Sequence, residues 1–291
     1  MVSLLLQAVV DGILLGLIYT IMALGLSLIL GVLGVINVAH SVFIMLGSFF
    51  ALGMLTILHL DPTVSFVLSI PVFFLAGAAV YRLLIERVQR APSTIGILVL
   101  FGLMVVVETA GILLWTTDTR VITVGYSNLR LSAGPVTVNG ARLIAGGLSL
   151  LATAGAYWFL TRTLTGRAVV AMADNRDAAS VLGMNVGRLS MLIFGLGIAA
   201  AGAGGVAIGM TFPFAPQDHI QWLSWAFLIV IVGGLGRVEG TLFGGLVIGL
   251  IQTLAGILLP FSWVFLLMYM LLLVLLIVRG QGLGGLRRRE L

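Results

Sequence analysis

The sequence predicts an all-α, polytopic membrane protein with about eight to nine transmembrane helices and additional broken or re-entrant segments. Composition supports this fold class, because 60% of the 291 residues are hydrophobic and only 9% are charged, whereas a soluble domain carries about 25% charged residues. The mean hydropathy is +1.23. Long uncharged runs, separated by short arginine-bearing loops, extend along the chain. We therefore expect one transmembrane domain over residues 1–291.

The basic and sulfur-containing residues exclude several kinds of site. All 15 basic residues are arginine, and the chain contains no lysine. A P-loop needs a lysine to reach the nucleotide phosphates, so the chain is not a conventional P-loop ATPase and any ATP must be bound by partner subunits. The absence of cysteine excludes disulfides, thiol catalysis and cysteine metal sites. We expect no cofactor, and we attribute the net charge of +5 to orienting loop arginines rather than to nucleic-acid binding.

The first span is predicted over residues 12–33, which carry no charge and are long enough to cross a bilayer. A polar patch with Asn37, His40 and Ser41 follows, before a second apolar run at 42–58. Polar side chains at membrane depth are costly and usually face a cavity or the bundle interior. Two interpretations remain open: a broken helix that lines a translocation path, or a helix–helix hydrogen bond or interfacial turn.

The next two spans are predicted at 63–81 and 93–115, joined by a basic loop that should be cytoplasmic. Glu108 lies inside the second of these apolar runs. One interpretation makes it a proton-coupling carboxylate in the translocation path. The other, which the short distance to Trp115 favours, is a structural carboxylate that snorkels to the interface or pairs with an arginine there.

Residues 116–140 predict an external loop with β structure that caps the helical bundle. Short β segments are expected at 121–124, 129–131 and 136–138. Gly134-Pro135 and Asn139-Gly140 have the composition of turns. Arg120 and Arg130 count mildly against an external position, although longer loops translocate despite their charge.

After a span at 143–160, residues 162–188 form a polar cytoplasmic segment that predicts one short helix. Asp174 is the expected N-cap, with Asp177 as a partner resembling that of a capping box. Gly183 falls where a left-handed C-terminal cap is expected. A helix of about two turns is marginal alone, which indicates docking onto a partner through the small residues Ala178 and Ala179. The alternative is a solvated connector.

The remaining spans are predicted at 189–212, 241–259 and 261–278, with a run at 220–232 that is too short to cross fully. The arginine-rich tail at 279–291 should be cytoplasmic. The sequences Gly31-Val-Leu-Gly34 and Gly233-Gly-Leu-Gly236 form a weak internal echo, of the kind that marks interrupted segments in transporters. In a chain with 38 glycines we attribute this echo to chance.

Three stretches together resemble the LivH-type permease subunits of the branched-chain amino acid ABC importer family. Residues 23–40, followed by Gly47-Ser-Phe, are similar to the family's N-terminal signature. Residues 166–183 look like its cytoplasmic coupling loop, with Asp177 in place of the usual glutamate. Residues 233–249 resemble its glycine-rich late segment.

The resemblance implies a permease in the cell (inner) membrane that moves substrate by alternating access. Its implied partners are a homologous second permease, two cytoplasmic ABC ATPases that bind ATP, an external substrate-binding protein, membrane lipid and a small-molecule substrate, namely a branched-chain or other hydrophobic amino acid. Residues expected to couple to the ATPases are Gly166, Arg167, Asp174, Arg176, Asp177, Ala178, Ala179 and Gly183. The alternatives are an ion-coupled secondary transporter, with Glu108 or His40 carrying the proton, and an importer of urea or short amides.

Overall fold

The computed structural model describes residues 2–89 and 91–278, and within them the chain is almost wholly helical. The long helices are α1 (Val2–Leu28), α2 (His40–Leu58), α3 (Pro62–Val80), α5 (Ser93–Trp115), α6 (Gly140–Arg162), α9 (Val186–Thr211), α10 (His219–Gly233), α11 (Val238–Leu258) and α12 (Phe261–Val278). The short ones are α4 (Glu86–Val88), α7 (Leu164–Asp174) and α8 (Arg176–Val181).

The all-α polytopic fold is confirmed. Seven helices in the described part of the chain are long and apolar enough to cross a membrane. Helix α10, with 15 residues, is as short as its sequence predicts. The span predicted at 63–81 is longer than expected, because α3 continues through a π-helical turn at Tyr81–Ile85 into α4. The prediction that the tail at 279–291 is cytoplasmic lies outside the described residues.

The centre of the bundle is built on glycine-lined contacts of α1 with α9 and α11. A Cβ atom on Gly16 would lie 2.7 Å from the Cα atom of Leu246, and one on Gly204 would lie 2.7 Å from the Cα atom of Met22. Real side chains do not approach backbone so closely, so these helices touch only because no Cβ is present. Small residues permit this approach in membranes, where association depends on close packing.

Two helix breaks contact each other where α1 ends. Helix α1 ends in a π-helical turn at Ile29–Leu33, and Gly34 then adopts a left-handed φ of 66°. Between α10 and α11, the N–H group of Gly236 donates to the backbone oxygen of Ser27 at 3.2 Å and to its Oγ at 3.1 Å. A Cβ on Gly31 would overlap the backbone of Gly236. The glycine echo that we attributed to chance therefore lies at a direct contact between two breaks.

The loop at 116–139 forms one hairpin, made of β1 (Arg130–Ala133) and β2 (Val136–Asn139), at the end of the bundle that we call the hairpin end. The strand expected at 121–124 is wrong, because those four residues form no strand, and only the preceding residue, Arg120, makes an isolated bridge, with Phe214. Two contacts fix the loop to the helices. The hydroxyl of Tyr126 donates to Asp61 at 2.8 Å, and the amide of Gln7 both donates to and accepts from the backbone of Thr137 at 2.8 Å.

Candidate functional site

The first predicted polar residues, Asn37 and His40, are both fully buried next to the break after α1. The Nε2 atom of His40 lies 2.8 Å from the backbone oxygen of Met22. This contact is the helix–helix hydrogen bond that one of our two interpretations expected. Asn37 differs, because its side-chain amide makes no hydrogen bond within the described residues. A buried amide without a partner costs free energy, so Asn37 remains the better candidate for a path-lining group.

The other two predicted path residues, Ser41 and Glu108, are brought together by a third residue, His219. The Nδ1 atom of His219 lies 3.0 Å from Ser41 Oγ, and its Nε2 atom lies 3.3 Å from Glu108 Oε2. The second contact has ion-pair distance but not hydrogen-bond alignment. Ser41 and His219 are fully buried, and the Glu108 side chain is 24% exposed. Glu108 therefore pairs with a histidine rather than with the expected arginine.

The hydrogen bonds of Ser41 favour one tautomer of His219. Ser41 donates its hydroxyl proton to the backbone oxygen of Val38 at 3.2 Å, so its Oγ accepts from the Nδ1–H group of His219. A neutral His219 then turns an Nε2 lone pair toward the carboxyl group of Glu108. His219, at the start of α10, was missed because the sequence places it in a turn far from the other two residues.

The segment at 162–188 holds two helices instead of one, which corrects the predicted caps. Asp174 is the last residue of α7, and the N-cap of α8 is Asn175, whose side chain accepts from the N–H group of Ala178 at 2.9 Å. Asp177 is the second residue of α8 and forms no capping box with Asp174. The capping choice depends on where α7 stops. Adjacent Asp and Asn residues are equally good caps by sequence.

The end of α8 agrees with the prediction. Gly183 has a left-handed φ of 82°. Its N–H group donates to the backbone oxygen of Ser180 at 3.0 Å, and the N–H group of Met184 donates to that of Ala179 at 3.0 Å. These two bonds form a Schellman motif, which satisfies the last carbonyls of the helix.

The predicted coupling residues divide into packing and exposed groups. Gly166 is buried, and a Cβ atom there would lie 2.6 Å from the Cα atom of Leu160, so this glycine permits α7 to lie on α6. Ala179 is 2% exposed and faces its own chain, which corrects the expectation that it enters a partner's groove. The side chains of Arg167, Asp174, Arg176, Asp177 and Ala178 are exposed.

Two apolar side chains join the exposed group. Val181 is 88% and Leu182 is 77% exposed at the end of α8. The α7–α8 segment is more polar than the spans, and Arg176 and Asp177 of α8 are also exposed. Sequence reasoning did not include Val181 and Leu182 among the coupling residues, because nothing in the sequence distinguishes them from buried apolar residues.

A cavity connects this segment to the first helix break. It has a volume of about 280 Å3 and is lined by Gly34, Val35 and Ile36 from the break, by Gln89, and by Arg176 from the start of α8. Arg176 also lies 3.5 Å from Ser190 Oγ at the start of α9. Arg176 and the residues that precede Asn37 therefore face the same cavity.

A broken first helix with a buried polar amide, joined to an exposed helical segment at one end, defines a class of protein: the membrane-spanning subunit of a transporter. Comparison with known proteins gives the family. Residues 8–277 match the family described as branched-chain amino acid transport system / permease component, and the chain belongs to this family. It is the permease subunit of an ABC importer, working with other components of that system, and is not an enzyme.

Individual relatives match along most of their length. The high-affinity branched-chain amino acid transport system permease protein LivH of Escherichia coli (strain K12) is 27% identical, covering 96% of this chain and 95% of its own. The corresponding protein BraD of Pseudomonas aeruginosa is 26% identical with the same coverage. The probable LivH of Methanocaldococcus jannaschii is 28% identical over 80% of this chain and 76% of its own. No solved structure matches the chain.

Proposed function

We propose that this chain and a homologous second permease form the membrane part of an importer for branched-chain and other hydrophobic amino acids. Two cytoplasmic ATPases and an external substrate-binding protein complete the system. The names of the relatives support the substrate class. The observation that carries the assembly is the exposed end of α8, because a transport subunit without a P-loop lysine needs a surface on which a separate ATPase can act.

The physical argument starts from the size of α8. Six residues form too few hydrogen bonds to hold a helix by themselves. Caps at Asn175 and Gly183 fix both of its ends, and Val181 and Leu182 stand exposed beside them. Burial of apolar area contributes roughly 25 cal/mol per Å2, so a partner that covers these two side chains gains affinity. The α7–α8 segment is the ATPase docking surface in this proposal.

The orientation follows from the same assignment. The α7–α8 end of the bundle and the C-terminus face the cytoplasm, and the hairpin end faces outward from the cell (inner) membrane. ATP binding on the partners moves α8, and Arg176 transmits the displacement to the break that precedes Asn37. Substrate then moves past Asn37 and the cluster of Ser41, His219 and Glu108 by alternating access.

The test is purification and reconstitution. Expressed with its partners, the chain should copurify with ATPase subunits and should take up leucine, isoleucine or valine into vesicles only when ATP is supplied on the ATPase side. Uptake competition with urea and short amides decides between the substrate classes. Purified alone, the chain should hydrolyse no ATP, because it has no P-loop lysine. Hydrolysis by rigorously partner-free protein would contradict the assignment.

One observation favours a second function, an ion-coupled transporter. The contact of Glu108 with His219 has the composition of an intramembrane proton relay. That alternative requires transport by the chain alone, driven by a proton gradient. Absence of gradient-driven uptake, together with ATP-dependent uptake by the complex, rejects it.

A further inference from the structure

A large polar cavity lies at the hairpin end, away from all the residues discussed above as path or docking groups. Its volume is about 540 Å3, within the range of about 300–1,000 Å3 that is typical of small-molecule sites. Helix α1 contributes Gln7 and Asp11, the hairpin region contributes Thr123 and Arg130, and α6 contributes Arg142. Four separate parts of the chain, including the end of α9, thus form one recess.

An ion pair of fixed geometry lies in this recess. Arg142 Nη1 donates to Asp11 Oδ1 at 2.8 Å, and the two side chains are only 27% and 22% exposed. Gln7 donates from Nε2 to Asp11 Oδ2 at 2.8 Å. Because Gln7 is itself held by the backbone of Thr137, the carboxylate of Asp11 has little freedom to turn away.

The pair keeps unused hydrogen-bonding capacity. A guanidinium group has five N–H donors, and only one of those of Arg142 has a partner among the described residues. A carboxylate offers about four acceptor positions, and two of those of Asp11 are used. The side chain of Arg130, also in the recess, makes no hydrogen bond or ion pair within the described structure. The recess therefore presents free donors for a carboxylate and free acceptors for an ammonium group.

The position of these arginines needs an explanation. In the proposed orientation Arg120, Arg130 and Arg142 are the arginines of the described residues that face outward, against the general preference of basic residues for the cytoplasmic side. Two of these three line the recess. The wall also includes apolar side chains, namely Ile122, Met210 and Phe212. The recess thus combines a charged pair of both signs with an apolar surface.

We propose that this recess binds a free zwitterionic α-amino acid with an apolar side chain before it enters the translocation path. Arg142 and Arg130 hold the α-carboxylate, Asp11 holds the α-ammonium group, and the apolar wall contacts the side chain. This inference rests on the proposed amino-acid transport function and assigns a site to it. Bidentate pairing with arginine makes the carboxylate contact both stronger and more specific than a point charge.

The experiment uses the absence of native cysteine in this chain. Thr123→Cys places one thiol in the recess, and the variant permease is reconstituted with its ATPases but without binding protein. Labelling by a maleimide is then followed on this chain with and without L-leucine. At a leucine concentration ten times its Kd, labelling should slow about tenfold, because only the unoccupied fraction reacts. The carboxylic acid 4-methylpentanoate and the amine 3-methylbutylamine, each lacking one charged group, should protect far less.

Matched variants separate binding from folding. The exchange Asp11→Arg with Arg142→Asp keeps an ion pair between α1 and α6 but reverses its direction, and it should abolish protection. Arg130→Gln changes an exposed, unpaired side chain and should weaken protection without affecting the fold. There are two controls. Arg120→Gln changes an outward arginine outside the recess and should leave protection by leucine unchanged. Ser132→Cys places a thiol at an exposed position on the hairpin, and leucine should not protect that thiol.

Several outcomes would overturn the proposal. One is undiminished protection by leucine in the variant that combines Asp11→Arg with Arg142→Asp, which would show that this ion pair only stabilises the contact between α1 and α6. Another is protection by the binding protein but not by leucine, which would make the recess a protein docking surface. Labelling that leucine never slows also overturns it, even if the complex transports leucine. Because labelling is measured without uptake, failure of the proposed transport function is detected separately.

Discussion

The Nε2 atom of His219 lies 3.3 Å from Oε2 of Glu108, which joins the start of α10 to the interior of α5. Glu108 is seven residues before the end of α5 at Trp115, so at a rise of about 1.5 Å per residue the pair lies roughly 10 Å inside the hairpin end. An imidazole at this depth with no exposed surface needs its partners, and Ser41 and Glu108 supply them.

The first prediction concerns this pair. Glu108→Ala removes the carboxyl group that faces the buried Nε2 atom of His219 and should destabilise the protein by about 1–3 kcal/mol. Glu108→Gln, whose amide can donate to Nε2, should restore most of that loss. Thermal unfolding of the purified permease measures both effects, with the exposed Glu86→Ala as the control. Equal destabilisation by the alanine and glutamine variants would show that the His219 contact contributes nothing.

The second prediction concerns Asn37, whose amide is buried without a partner. Asn37→Leu removes a desolvated polar group and should leave stability unchanged or raised. Uptake should nevertheless fall, because a path-lining amide is lost. Ser149→Ala is the matched control, since Ser149 Oγ is also buried and unpaired but lies on α6. If both variants transport normally, Asn37 is not part of the path.

The third prediction concerns the α7–α8 docking surface. Leu182→Asp and Ala178→Trp change exposed side chains, so both should leave the fold intact and lower ATPase binding and ATP-driven uptake. Gly183→Val should also cost on the order of 1–3 kcal/mol, because valine is strained at positive φ. Gly134→Val is its control, with a φ of 59° in the hairpin turn and no neighbour within 4 Å.

Pulldown of the ATPases alongside vesicle uptake measures these effects. Gly134→Val should retain ATPase binding despite similar backbone strain. Full uptake and full ATPase binding by Leu182→Asp, Ala178→Trp and Gly183→Val would reduce the α7–α8 segment to a connector.

The fourth prediction concerns pH and the cap of α3. Partial burial raises the pKa of Asp61, but hydrogen bonds from Thr63 and Tyr126 lower it by more, so the pKa lies below its usual value. Burial and the neighbouring carboxylate raise the pKa of Tyr126 well above its usual range, so its hydroxyl keeps its proton. A depressed carboxyl pKa gives stability that is present above the unfolded pKa of about 3.9 and is lost as pH falls through the folded pKa.

Tyr126→Phe removes one of these bonds and should raise the folded pKa of Asp61. The acid loss of thermal stability should then be smaller and should end at a higher pH than in the native protein. Thermal unfolding across the acid range measures the shift, with Tyr157→Phe, on α6, as the control. Superimposable acid profiles for the native and Tyr126→Phe proteins would contradict this assignment.

The fifth prediction concerns orientation. Ser132 and Ser180 are exposed at opposite ends of the bundle. Single cysteines at these positions should react with an impermeant maleimide from opposite faces of the membrane, Ser132→Cys from outside the cell. Reaction of Ser132→Cys only from the cytoplasmic face would invert the proposed orientation.

Local patterns in the sequence predicted the helices well and the contacts between them poorly. The runs predicted at 93–115 and 261–278 coincide with α5 and α12 because uninterrupted apolar sequence directly determines a span. The left-handed conformation at Gly183 was also predictable from local sequence, because glycine is the residue that adopts it freely. Nothing local indicated that Ser41 meets His219, 178 positions away.

The mistaken cap of α8 shows where local reasoning ends. Asp174 and Asn175 have nearly equal capping preference, so the choice depends on the end of α7. Tertiary packing decides that end, because α7 lies on α6 through the close approach permitted by Gly166. The sequence therefore predicted a capped helix in this segment but not the residue that caps it.

The hydrogen bonds between Gly236 and Ser27 join positions 209 residues apart. During synthesis the chain emerges from its N-terminus, so α1 and its break exist long before the residue that completes them. The first break can reach its final state only after the chain has been made through Gly236. Completion of this contact is therefore a late event in biogenesis, and a chain truncated before Gly236 contains the first break without its partner.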